Sequence, residues 1–175
     1  MRLHFWCVLM GIGAATWNTV YGQTDRYVDP GGDDSSDCSD GGNPCRTLHY
    51  AVGQSASGDV IHIAEADYTE AEVLLDRNLT LLGESTDGTV IQGDGGPGTA
   101  TGRVFQVTAG ATVDMHNLTV RYGRAPDGVQ GANGHVSGSS LPQPGGDGES
   151  GGGILNHGTL SLTSVRVTEN QAGTG

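Results

Sequence analysis

Carboxylates dominate the reactive side chains of this sequence: 14 Asp and 6 Glu face eight Arg and no Lys, for a formal net charge of -12. Asp76, Asp94 and Asp114 lie in or just after short apolar runs, with Arg103 and Arg121 near them in order. Carboxylates projecting side by side from neighbouring strands are what acid and base catalysis of glycoside cleavage requires. Without a second motif to tie them together, these residues read as solvated surface charges. A chain this acidic is a poor partner for nucleic acid. The missing lysines suit a salt-rich habitat, and a generic acidic exported surface accounts for them almost as well.

The densest acidic segment is DPGGDDSSDCSD (29–40), with five Asp. Asp33, Asp34, Asp37 and Asp40 form a candidate oxygen-ligand set for Ca2+. The segment lacks the Gly at position six of an EF-hand loop, and it reads first as a flexible acidic turn. GGDGESGGG (145–153) likewise falls short of a calcium-binding repeat. The six His are scattered, so no metal site is assigned. Asn78-Leu79-Thr80 and Asn117-Leu118-Thr119 match the glycosylation sequon. They also suit turn asparagines that bond local backbone.

Residues 1–22 read as an export signal. Arg2 supplies the positive start, an apolar run follows over 3–15, and Val20-Tyr21-Gly22 offers a cleavage site. The run is too short to span a membrane. Behind the leader, Cys38 and Cys45 are the remaining thiols, and an oxidising compartment favours a disulfide closing CSDGGNPC. A loop this small stabilises by no more than about 2 to 3 kcal/mol.

These residues must be held by short strands. After residue 59, apolar positions alternate in ten brief runs broken by Gly, Asn or Asp, and no 3.6-residue period persists. One short helix is predicted over RTLHYAVGQ (46–54), with Leu48, Ala51 and Val52 on one face. Three series of runs align: Val60, Val90, Leu118 and Val165; Val73, Val104 and Ile154; Leu79, Val113 and Leu160. A rival alignment pairs NLTLLG (78–83) with NLTVRYG (117–123). Alternation directs Ile61, Ile63, Leu79, Leu81, Leu118, Val120, Val165 and Val167 inward, and His62, Thr80, Thr119, Arg121 and Arg166 outward. The Gly-rich segment 123–153 interrupts the period and is predicted to protrude. The expected fold class is all-β: a right-handed parallel β-helix, a solenoid of about three coils with three short strands each, behind a short N-terminal capping helix.

Two stretches carry a family resemblance. YVDPGGDDSSDCSDGGNPCRTLHYAVGQSASGDVIHIAEADYTE resembles the N-terminal entry of secreted bacterial right-handed parallel β-helix proteins of the pectate-lyase-like superfold. GGGILNHGTLSLTSVRVTENQA looks like the repeat of polymorphic outer-membrane-protein and related surface families. The resemblance implies an entry segment at 23–58 and coils over 59–175 that continue beyond Gly175 into a longer protein. Enzymes of that superfold carry N-T-D, D-D and G-H-G sets or an R-x-P-x-x-R motif. Here Asn156-His157-Gly158 is only a partial echo, and RYGRAP (121–126) has the wrong spacing.

The function expected from this reading is a secreted or cell-surface protein, leaning non-enzymatic, that acts in adhesion or in contact with extracellular polysaccharide. It needs no cofactor unless Ca2+ binds the acidic loop. Thr80, Thr119, Arg121 and Arg166 would line a flat polar face toward sugar chains, and the segment after Arg124 would be displayed. The alternative is a polysaccharide lyase or glycoside hydrolase whose catalytic coils lie outside this sequence. Neither reading has the chain spanning a membrane.

Overall fold

The structure, a computed structural model, describes residues 22–93, 96–131 and 144–175. All but the last residue of the predicted leader, together with Asp94, lies outside them.

Among the described residues ten strands form, in chain order: β1 (Asp25–Val28), β2 (Asp59–Ile63), β3 (Ala66–Thr69), β4 (Val73–Leu75), β5 (Leu79–Gly83), β6 (Thr89–Gln92), β7 (Phe105–Val107), β8 (Thr112–Arg121), β9 (Ile154–Asn156) and β10 (Thr159–Thr168). One helix, α1 (Leu48–Gln54), stands between β1 and β2. Every strand pairing is parallel. The larger sheet has seven strands in the order β1-β2-β5-β8-β6-β3, with β10 also on β8, and the smaller has three in the order β4-β7-β9.

This arrangement corrects the expected fold class. The chain forms a mixed parallel α/β-like fold of two parallel sheets and one short helix, and not an all-β solenoid with three short strands per coil. The physical reason lies in β8 and β10. Each runs unbroken for ten residues where two short strands were expected. Asn117 (φ 53°) and Ser164 (φ 54°) take the left-handed conformation inside these strands, so the chain bends without ending the ladder. The first half of β8 then pairs with β5 and the second half with β6, merging two ladders into one sheet.

The register sorts the three alignments. Leu79, Val113 and Leu160 are direct cross-strand partners, as aligned. Val73 pairs with Phe105, and Phe105 in turn with Ile154, so the second series is off by one residue at Val104. Val60 pairs with Thr80 and not with the strand of Val90, so the first series fails there. The rival spacing also fails, because Leu79 meets Val113 and not Leu118.

The core lies between the sheets and under α1. Ile61, Ile63, Leu75, Leu81, Met115, Leu118 and Phe105 are fully buried, each side chain stabilising by about 1.5–3 kcal/mol. Thr47 caps α1 by accepting the Tyr50 amide, and the Glu70 carboxylate accepts the Leu48 and His49 amides, both at 2.7 Å. Leu48, Ala51 and Val52 turn into the core.

The deepest polar anchor is Asp59, at the start of β2. It accepts the Arg26 guanidinium (2.8 Å), the Ala56 amide (2.8 Å) and the Thr24 amide (3.0 Å) with no exposed surface. Burial pushes its pKa up, but these bonds outweigh burial and hold the carboxyl below its ordinary range. Arg26 also donates to the Asp37 carbonyl, so one guanidinium ties the cysteine loop to β2.

The described flanks of the Gly-rich segment do not protrude. Backbone bonds run from Ala125 to Gln171, from Glu149 to Pro126 and from Gly173 to Glu149, laying the flanks against the C-terminal residues. Arg103, buried, reaches Glu149 at 2.6 Å and fastens the returning flank. Residues 132–143 of the predicted display element lie outside the described residues.

Candidate functional site

The four residues predicted to form a polar ligand face are placed in two separate groups. Thr80 sits in β5 between Val60 and Asp114. Thr119, Arg121 and Arg166 lie beyond the bend, where Thr119 and Arg166 are cross-strand partners. Thr119 is buried, contrary to the alternation, because its hydroxyl donates to the Thr86 carbonyl at 2.6 Å. Arg121 binds Gln92 (2.8 Å) and Asp67 (3.2 Å) and lies over the Tyr122 ring, and Arg166 binds Asp87 at 2.7 Å. Thr119, Arg121 and Arg166 are engaged with these partners, and Thr80 lies on the other side of the bend from them.

The acidic loop is equally self-engaged. Cys38, within it, forms a disulfide with Cys45 beyond its end. Asp34 accepts the Arg46 and Thr47 amides and the Thr47 hydroxyl; Asp37 accepts the Ser39 amide and hydroxyl, which hold its carboxyl below the ordinary range; Asp40 accepts the Gly42 amide. Asp33 takes the Ser35 hydroxyl. Among the described residues no three His, Cys, Asp or Glu side chains converge as metal ligands do.

What the loop builds instead is a cleft. β1 is flanked on one side by β2 and on the other by residue 45, through bonds from the Cys45 amide to the Tyr27 carbonyl (2.9 Å) and from the Asp29 amide to the Cys45 carbonyl (2.9 Å). The Tyr27 amide donates to the Cys38 carbonyl at 2.8 Å. The loop thus folds along the edge of β1, and its tight return requires Gly32, where a Cβ would lie 2.3 Å from the Pro44 carbonyl oxygen.

Between this loop and the open face of β1, β2 and β5 lies a cleft of about 450 Å3, lined by Tyr27, Asp29, Pro44, His62, Glu84 and Asn117, with Val28, Ile63 and Leu82. That size falls within the roughly 300–1,000 Å3 usual for small-ligand clefts. Parallel register sets Tyr27 directly beside His62, and their rings stack with centroids 5.0 Å apart and planes 16° from parallel. His62 Nε2 lies 3.0 Å from Asp25 Oδ1, which fixes the imidazole. Gly83 is required on the opposite side, since a Cβ there would lie 2.3 Å from the Asn117 carbonyl oxygen.

Asp29 uses Oδ1 to accept the Gly31 amide at 2.7 Å, and Glu84 uses Oε2 to accept the Glu65 amide at 3.3 Å. Behind the cleft, Tyr68 is buried and donates to the Val28 and Ala64 carbonyls. Burial pushes its phenol pKa well above the ordinary value, and the negative charges of Asp29, Glu70 and Glu84 push it further.

Sequence reasoning assigned His62 outward and left Tyr27 unremarked. The available signal was the pair of outward positions in DRYV and DVIHI, which become neighbours once those runs pair in parallel. No helix among the described residues is long and apolar enough to cross a membrane. The chain matches no protein-family model, no curated protein and no solved structure.

Proposed function

We propose that this chain is an exported, non-enzymatic protein that contacts extracellular polysaccharide, and that the cleft beside the cysteine loop holds a sugar unit. The observation that carries this reading is the stacked Tyr27–His62 pair in a cleft of about 450 Å3 that also presents Asp29, Glu84 and Asn117. Sugars combine apolar C–H faces with many hydroxyls, and a wall that alternates ring and aliphatic surface with carboxylate and amide acceptors complements both. The export leader and the acidic surface fit a protein that works outside the cell.

Calorimetric titration of the full chain with a panel of oligosaccharides tests the proposal. Tyr27→Ala is expected to weaken binding of any positive ligand by about tenfold or more, while Arg166→Ala leaves it unchanged. A panel with no binder, or a binder indifferent to Tyr27→Ala, overturns it.

A further inference from the structure

The charges around the cleft say which sugar belongs in it, an inference that rests on the sugar-contact reading above. No arginine lines the cleft. The arginines elsewhere among the described residues are committed: Arg26 to Asp59, Arg46 to the Gly32 carbonyl, Arg77 to Asp76, Arg103 to Glu149, Arg121 to Asp67, Arg124 to Asp127 and Arg166 to Asp87. With no lysine in the chain, the cleft has no fixed cation to offer a uronate or a sulfated sugar. It offers instead two carboxylates, each holding one backbone amide through a single oxygen and leaving the other oxygen without a described hydrogen bond.

Two carboxylates that line one concave, ring-walled space, with no arginine or lysine beside them, make it a place for a cation. A bare metal ion is poorly served, since among the described residues no group of three His, Cys, Asp or Glu ligands converges there. An ammonium group carried on a sugar ring satisfies both features, its N–H donors meeting the carboxylates in charge-assisted bonds while the ring packs against Tyr27 and His62. We propose that the cleft binds an amino sugar with a free amine, such as a glucosamine unit of a deacetylated polysaccharide.

The test is a titration of the full chain with four short probes: a glucosamine trimer, its fully N-acetylated form, a neutral glucose trimer and a galacturonate trimer. The glucosamine trimer is expected to bind about tenfold more tightly than any other. Glu84→Gln and Asp29→Asn should each remove most of that preference, while Asp87→Asn, which changes the same net charge outside the cleft, should leave it intact. Equal affinity for the glucosamine and acetylated trimers, with both still sensitive to Tyr27→Ala, overturns the amine assignment and leaves the sugar cleft standing. Preference for galacturonate, or an equal loss in Asp87→Asn, overturns it as well. A trilysine peptide that binds as tightly, with the same sensitivity to Glu84→Gln, shows a site for bare amines and overturns the sugar assignment. If no trimer binds, the sugar-contact reading itself falls.

Discussion

Two edge strands of the large sheet, β1 and β10, live in different surroundings. β1 is bonded along its far edge by residues 38 and 45 of the cysteine loop, and Val28 is 2% exposed. β10 pairs with β8 on one side, and its apolar residues are left half-covered: Leu162 is 45% exposed and Val167 48%. Yet Leu160, Leu162, Val165 and Val167 follow the same alternation that buries Leu79 and Leu81 in β5 almost completely. Alternation therefore says which face a side chain takes, while the neighbouring layer decides whether that face becomes core.

The sharpest way to break this contrast is at the closed end. Asp59→Ala leaves Arg26 buried without its carboxylate, and a loss of about 3–5 kcal/mol is expected in chemical denaturation. The same anchor predicts acid sensitivity. A carboxyl whose folded pKa is depressed contributes stability that is present above its unfolded value near about 4 and disappears as pH falls through the folded one. Thermal unfolding followed downward from pH 5 should show this loss in the native chain and much less of it in Asp59→Ala.

Next in size is a matched pair in the sheet. Leu81→Ala, at a site with no exposed surface, should cost about 2–5 kcal/mol, whereas Leu162→Ala should cost less than about 1 kcal/mol. Equal losses in equilibrium unfolding would show that the β10 face is covered in solution. Replacing both Cys38 and Cys45 by Ser should cost about 2–3 kcal/mol and also loosen the cleft wall that the loop supplies, read as a weaker response to the sugar panel.

The smallest effect is at the far end of the chain. The Thr174 amide, the Arg124 guanidinium and the Thr174 hydroxyl hold the Asp127 carboxyl down at about 2. A carboxylate resonance that titrates near 4 in NMR would show that the flanks of the Gly-rich segment are not zipped against the C-terminal residues.

Much of the local design was readable from residue order. The alternation at 60–63 and 79–82, the buried face of 46–54 and the partnership of Leu79, Val113 and Leu160 all follow from spacing. The continuity of β8 and β10 did not, because Asn117 and Ser164 look like turn residues and act as bends within a ladder that continues. The cleft was less legible still. Tyr27 and His62 are 35 positions apart, and only the register of β1 on β2 makes them a stacked pair. Asp29 and Glu84 are brought to the same cleft by a loop return and a strand end that no local pattern announces. Thr119 was misassigned outward because a hydroxyl can be buried once a carbonyl accepts it.

The left-handed residues of β8 and β10 carry a consequence for how this sequence can change over generations. Asn117 and Ser164 fall at matching places between paired residues of the two strands, and Tyr122 (φ 56°) and Glu169 (φ 53°) follow just past the strand ends at the same spacing from them. Loss or gain of one residue between those bends would turn every following side chain to the wrong face. The segment 123–153 lies outside that paired register. Its two ends return to fixed backbone partners, with Gln171 donating to the Gly123 carbonyl and Val104 to the Gly152 carbonyl, and added length between them costs little closure entropy. Insertions and deletions should therefore accumulate in that segment among descendants of this chain, while the spans 117–122 and 164–169 keep their length unchanged.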